Sequence, residues 1–135
     1  MWLYEQRTGS LYLNGMPQGF GYAGRFTGVN NPDMQAVHNI GPLPVGIYRI
    51  GDPQDNHLGP MSFPLKQDPS NIMFGRDLFW IHADLINAAT NPHMASEGCI
   101  IMSGATRQRI KSEIASGERM LEVVADYTPN EGANS

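Results

Sequence analysis

The chain has 135 residues, enough for one domain with a hydrophobic core, and its 41% hydrophobic and 16% charged residues indicate a globular protein. A formal net charge of −4 gives no reason to expect nucleic acid or an anionic membrane as a partner. The 15 glycines and 10 prolines favour a turn-rich, mainly β architecture over a helical bundle.

The first part of the chain is predicted to form strands joined by tight turns. Apolar residues on either side of RTGS predict a hairpin over 2–13, and GFGYAGRF (19–26) predicts a third strand. Asn31 is a candidate N-cap with Pro32 at the first helical position, which predicts a short helix or turn. The Pro/Gly turn GPLP then leads into a strand predicted over Val45–Ile50.

Three extended segments are predicted in the middle of the chain. MSFPLKQ (61–67) is one of them, and Pro64 indicates an edge position because proline cannot donate to a strand ladder. DLFWIHAD (77–84) is the strongest strand candidate, and its apolar run 78–81 indicates burial on both faces. After a loop, CIIM (99–102) predicts a short strand.

The last part is predicted to contain one helix and a closing strand. Ser103 is a candidate cap, and Gly117 suits the helix stop. Between them one face repeats at four-residue spacing, formed by Thr106, Ile110 and Ile114. RMLEVVAD (119–126) predicts the closing strand, and 127–135 a frayed tail. The expected organisation is a single domain over 1–126.

Cys99 is the only cysteine, so the chain cannot form an internal disulfide. A reactive thiol needs a nearby base or positive charge. His82 is the better candidate because it ends the strongest predicted strand, and a strand, a loop and a return strand would bring it to Cys99. His93 is nearer in sequence but lies in a loop. Gly98 permits a tight turn whose N–H groups face an oxyanion. From these residues alone, a buried structural cysteine remains the competing interpretation.

Several short motifs resemble a known family in the order in which they occur. IHAD, ASEGCIIM and RQRIKSEIASGERMLEVV resemble the catalytic core of the L,D-transpeptidases (YkuD-like), with a strand-end histidine, a Ser-x-Gly-Cys turn, a short strand, a helix and a closing strand. GPLPVGIYRI resembles the upstream strand of that core. RTGSLYLNG, GYAG, NNP, IHAD and SEGCI are similar to the type VI secretion L,D-transpeptidase effectors, and this similarity extends to about Asp126.

The resemblance implies a mainly β (α+β) fold, an L,D-transpeptidase-like β-sandwich with one helix after the catalytic cysteine. It also implies that Cys99 is the nucleophile and that His82 is the base, oriented by the backbone carbonyl of Ala83. The turn of Ser96, Glu97 and Gly98 would supply an oxyanion site from backbone N–H groups near Gly98 and Cys99. No cofactor is implied.

The implied substrate is the stem peptide of peptidoglycan. The thiol would attack the diaminopimelate carbonyl of a tetrapeptide stem and expel the terminal D-alanine. Water, a free D-amino acid or a second stem could then accept the acyl group, and the sequence does not choose among them. The effector resemblance makes trimming (L,D-carboxypeptidase activity) and D-amino acid exchange the leading outcomes.

Two positions depart from the housekeeping L,D-transpeptidases. Glu97 stands where they have histidine, and Ile101 where they have arginine or asparagine, whereas Glu97 is typical of the effector branch. Glu97 is therefore a candidate for substrate binding, together with Tyr22, Asp84 and Arg107. Tyr22 is expected to line a peptide groove together with Trp80, for which core packing is the favoured alternative. Asp84 could instead cap its own loop, and Arg107 could be a solvated helix residue.

The effector resemblance also implies partners and a location. The protein would be made in the cytoplasm, delivered by a type VI secretion apparatus, act in the periplasm of a target bacterium and be neutralised by an immunity protein. No Sec signal or membrane span is predicted, since no basic region precedes an apolar run. His38 and His57 are expected as surface residues, and no metal site is predicted because no paired ligand spacing occurs.

Two other functions remain open from the sequence. One is a non-catalytic peptidoglycan-binding adaptor with a degenerate site. The other is a cysteine amidase or peptidase of papain type, which the order of histidine before cysteine disfavours.

Overall fold

A computed structural model describes residues 1–128 and contains ten β-strands and one α-helix over that range. The strands are β1 Trp2–Glu5, β2 Ser10–Leu13, β3 Met16–Phe20, β4 Tyr22–Ala23, β5 Gly46–Ile50, β6 Gln54–Asn56, β7 Gly59–Gln67, β8 Trp80–His82, β9 Ile100–Ile101 and β10 Met120–Val124. Helix α1 spans Gly104–Ala115, and two 3₁₀ turns span Phe26–Gly28 and Pro32–Met34. Residues 129–135, most of the predicted tail, lie outside the described residues.

The strands form one mixed, hydrogen-bonded path in the order β3-β2-β1-β10-β5-β7-β8-β9-β4, with β6 paired to β7 beside it. β1 pairs with β10 in parallel, and so does β8 with β9, whereas the other pairs are antiparallel. Strands from both halves of the path and the helix share one core, which includes Trp2, Tyr48, Ile81, Ile100 and Ile110. The predicted mainly β class with a single helix after Cys99 is confirmed.

Local signals in the sequence placed several elements correctly. The predicted hairpin is confirmed, since β1 and β2 pair antiparallel. The Asn31 side chain accepts a hydrogen bond from the Asp33 N–H at the start of a 3₁₀ turn. Ser103 Oγ accepts from the Thr106 N–H at 3.2 Å and caps α1. Gly117 follows the helix with a φ of +102°, a conformation that glycine adopts without steric cost.

Pro64 lies in an interior strand, so the predicted edge position is wrong. β7 pairs with β5 on one side and with β8 on the other. The Pro64 carbonyl accepts from the Gly51 N–H at 2.8 Å, one position past the last β5–β7 pair, Ile50 with Leu65. In an antiparallel ladder the N–H and C=O of one residue face the same neighbour. The missing N–H of Pro64 therefore faces the side on which β5 has ended.

The predicted strand over 19–26 is in fact two strands in different parts of the sheet. β3 pairs with β2, whereas β4 pairs with β9. Gly21 lies between them, where a Cβ atom would overlap the backbone carbonyl of Ile101, so only glycine allows this approach. The change of partner brings Gly24 to the segment that precedes β9.

The strand predicted over 77–84 is shorter than expected and is not buried on both faces. Only Trp80–His82 forms a strand, while Leu78 has a φ of +63° and is 79% exposed. The left-handed conformation of Leu78 interrupts the extended chain. Phe79, by contrast, is buried, and its carbonyl accepts from the Leu65 N–H.

Candidate active site

His82 ends β8, and Cys99 lies directly before the neighbouring parallel strand β9. Ile81 pairs with Ile100 across β8 and β9, so the same register places Cys99 beside Trp80. The Trp80 N–H donates to Cys99 Sγ at 3.3 Å. In the same register His82 lies beside Ile101, two positions along from Cys99. Both residues line one cavity of about 660 Å³.

His82 is buried and held as a neutral base. Its Nδ1 lies 2.8 Å from the Ala83 carbonyl oxygen, which can only accept, so Nδ1 carries the proton and Nε2 the free lone pair. Burial lowers the pKa of His82, and the positive charge of Arg107 lowers it further, although the bond to Ala83 works in the opposite direction. The imidazole is therefore uncharged near pH 7.

Cys99 is a protonated thiol in the resting site. Burial raises its pKa to about 11, and the negative charge of Glu97 adds to this effect. The Trp80 N–H and the guanidinium of Arg76 act in the opposite direction but do not outweigh burial. The resting pair is thus a thiol beside a neutral imidazole, and attack by sulfur requires simultaneous proton transfer to the base.

Ser96 holds the turn that presents Cys99. Its fully buried hydroxyl donates to the Cys99 carbonyl at 2.6 Å and accepts from the N–H groups of Gly24, at 2.8 Å, and Gly98, at 3.0 Å. The Gly98 N–H, expected to face an oxyanion, is therefore already engaged. The Cys99 N–H lies beside its own sulfur, where it lowers the thiol pKa.

Arg76 is a buried cation of the site that sequence reasoning missed. Its guanidinium stacks over Phe79, 5.2 Å from the ring centroid, and occupies the space that a Cβ on Gly98 would need. It donates to four backbone carbonyls, those of Gln35, Gly41, Pro42 and Glu97. Arg76 thus joins the GPLP turn to the nucleophile turn. The only indication of this role in the sequence is that the arginine lies among the aromatic and apolar residues of FGRDLFW.

Tyr22 and Asp84 fasten the 85–95 loop. The Tyr22 hydroxyl donates to Asp84 Oδ1 at 2.7 Å and accepts from the Ala95 N–H at 3.1 Å. Its ring packs edge-on against His93, with the centroids 4.8 Å apart. Asp84 also accepts from the Leu85 N–H, the loop-capping role considered as its alternative. Neither Tyr22 nor Asp84 lines the cavity.

Arg107 is buried rather than solvated, and its guanidinium is engaged by backbone. Nε donates to the Met102 carbonyl at 3.1 Å, and Nη1 donates to the Pro60 carbonyl at 2.6 Å. The bond to Pro60 joins the first turn of α1 to the start of β7. Arg107 does not line the cavity, so its link to the site is its charge near His82.

The cavity wall carries charged and titratable side chains that the sequence did not place there. His38 and His57 are exposed, as expected, but both line the cavity. Arg25, Asp77 and Glu97 line it as well. Within residues 1–128, no group of three or more His, Cys, Asp or Glu side chains is arranged to hold a metal ion. In the same range no helix has the length and apolar character to cross a bilayer.

A family model described as the Tlde1 domain matches residues 18–126. By name this family comprises type VI secretion L,D-transpeptidase effectors. The matched range includes both Cys99 and His82 and ends after β10. Searches of curated proteins and of solved structures found no significant match.

Proposed function

Because the Tlde1 model covers most of the chain, the protein belongs to that type VI effector family, and we propose that it is an antibacterial enzyme acting on peptidoglycan stem peptides. The observation that carries the proposal is that His82, at the end of β8, and Cys99, directly before β9, line the same cavity of about 660 Å³. The volume is in the range of small-molecule and peptide sites, about 300–1,000 Å³.

The neutral resting pair defines the first chemical step. His82 Nε2 accepts the thiol proton while Cys99 Sγ attacks the carbonyl carbon of the diaminopimelate residue in a tetrapeptide stem. The Cys99 N–H is the backbone donor beside the sulfur and can stabilise the oxyanion. Collapse of the tetrahedral intermediate breaks the peptide bond, and the departing D-alanine amine takes the proton from the imidazolium. The product is a thioester on Cys99.

The second step releases the acyl group. Neutral His82 takes a proton from water or from an amine, which attacks the thioester carbonyl and expels the thiolate, and the thiolate recovers the proton. Water yields a tripeptide stem, the L,D-carboxypeptidase outcome, and a free D-amino acid yields an exchanged tetrapeptide. The amine of a second stem would yield a cross-link. Trimming and exchange both remove substrate for wall growth, which suits an antibacterial effector.

Mass spectrometry of purified muropeptides tests the reaction. The parent protein should convert tetrapeptide stems into tripeptides, and into exchanged stems when a D-amino acid is added. Cys99→Ala and His82→Ala should each remove nearly all conversion, because members of one catalytic unit are not additive. His93→Ala is the matched control and should retain most activity, since His93 packs on Tyr22 outside the cavity. Binding of stems without conversion by the parent would instead favour the adaptor function.

Conditional toxicity tests the proposed place of action. Expressed in the cytoplasm of a Gram-negative host, the protein should be harmless, because its proposed substrate lies outside the inner membrane. Directed to the periplasm by an added signal, it should cause swelling or lysis that depends on Cys99 and is relieved by a cognate immunity protein. Toxicity that persists in Cys99→Ala would contradict this account.

A further inference from the structure

A loose ion pair lies on the wall of the cavity that contains Cys99. Arg25 Nη2 is 3.4 Å from Glu97 Oε1, and the two side chains are 27% and 61% exposed. Direct hydrogen bonds between such charges are typically about 2.7–2.9 Å long, so Arg25 and Glu97 do not form a short direct hydrogen bond. An ion pair this exposed contributes little to folding stability. Its two charges can therefore be separated by a ligand at small cost.

The Arg25 guanidinium is held in position relative to the nucleophile. Its Nε donates to the Asn39 carbonyl at 3.0 Å, and the guanidinium lies over the Phe26 ring, 5.3 Å from the centroid. The preceding Gly24 donates to Ser96 Oγ, which in turn donates to the Cys99 carbonyl. Arg25 is thus connected to the Cys99 turn through one shared hydroxyl.

The two arginines that line the cavity differ in what they can bind. Arg76 donates to four backbone carbonyls and has its charge committed to the fold. In the described part of the chain, the Nη atoms of Arg25 have only the Glu97 carboxylate as a polar contact. Arg25 is therefore the guanidinium that can receive a carboxylate, and Glu97 can receive an ammonium group in the same event.

We propose that Arg25 and Glu97 form a subsite for an α-amino carboxylate, a group that carries an ammonium and a carboxylate on one carbon. The inference rests on the proposed function and deepens it. The side chain of diaminopimelate ends in such a group, whereas the side chain of lysine ends in an ammonium alone. A free D-amino acid acceptor carries the same chemistry, so the group can come from the donor stem or from the acceptor.

Binding to Cys99→Ala protein tests the subsite without turnover. Isothermal titration calorimetry compares tetrapeptide stems that carry meso-diaminopimelate, its side-chain carboxamide, or lysine at the third position, and free D-alanine in a separate arm. If the donor stem supplies the group, the diaminopimelate stem should bind at least about tenfold more tightly than the other two stems. This ratio corresponds to the free energy of one hydrogen bond to a charged group. Arg25→Gln should erase that preference. Arg49→Gln, an exposed arginine outside the cavity, is the matched control and should retain it.

The two arms assign the source of the group. An Arg25-dependent preference among the stems places it on the donor, and Arg25-dependent binding of free D-alanine places it on the acceptor. Two results together would overturn the subsite: the three stems bind with equal affinity, and Arg25→Gln leaves the binding of D-alanine unchanged. So would a diaminopimelate preference that survives Arg25→Gln. Failure of the proposed function is a separate result, namely muropeptides left intact by the parent protein.

Discussion

Cys99 should react slowly with alkylating agents in the resting protein, although it is the proposed nucleophile. Alkylation proceeds through the thiolate. Burial raises the thiol pKa to about 11, so roughly one molecule in ten thousand carries a thiolate at pH 7. An ordinary cysteine with the reference pKa of 9.0 would carry about a hundredfold more. The site therefore depends on His82 to remove the proton during attack.

The rate of iodoacetamide labelling, followed by intact mass at a series of pH values, measures this thiolate fraction. Because Cys99 is the only cysteine, the labelled fraction reports this thiol alone. The rate should increase about tenfold per pH unit from pH 7 to about pH 10, since the thiolate fraction does so below the pKa. Glu97→Gln should move the curve to lower pH, because the Glu97 carboxylate raises the thiol pKa.

A labelling rate that is fast and constant between pH 6 and pH 8 would contradict a protonated resting thiol. That profile would mean a thiolate–imidazolium pair already formed in the resting protein, as in other cysteine enzymes. Proton transfer would then precede substrate binding, and His82 would act as a charged partner rather than as a neutral base.

Three further predictions concern the groups around the pair. Ser96→Ala leaves the N–H groups of Gly24 and Gly98 without their acceptor, so the free energy of unfolding measured in urea should fall by about 2 kcal/mol or more. An unchanged denaturation midpoint would mean that the turn does not need the hydroxyl. The pKa of His82 is lowered in the folded state, so the unfolded chain binds more protons and stability should fall as pH decreases through about 6.5. His82→Gln should flatten that decline, and an equally steep decline would assign it to other groups. Tyr22→Phe removes the hydrogen bonds to Asp84 and Ala95 at the two ends of the 85–95 loop, so amide hydrogen exchange in the loop should accelerate while β10 stays protected. Unchanged exchange in the loop would argue against this role of the hydroxyl.

Elements defined by local signals could be predicted from the sequence. The hairpin follows from its turn residues, and α1 follows from the Ser103 cap and the repeat of Thr106, Ile110 and Ile114. The proximity of Cys99 and His82 was also predicted, although the strand after the loop is parallel to β8 rather than a return strand. Their catalytic roles stay predictions.

Features that depend on distant backbone could not be predicted. Arg76 and Arg107 bind backbone carbonyl groups that are remote in sequence. Because every residue has a carbonyl, the sequence does not show which ones will accept these bonds. Pro64 was misplaced because its missing N–H faces the one side of an interior strand where the neighbour has ended. Leu78 was misplaced because a left-handed backbone is rare for a branched apolar residue.

In the proposed reaction the stem peptide becomes covalently attached to Cys99. The most direct measurement mixes the protein with a diaminopimelate tetrapeptide stem, quenches in acid at increasing times and maps the peptides by mass spectrometry. The peptide containing Cys99 should gain the tripeptide acyl mass as a thioester, and Cys99→Ala should yield neither adduct nor product. Stem cleavage that proceeds equally in Cys99→Ala, with Cys99 unmodified in the parent at every time, would contradict the proposed reaction.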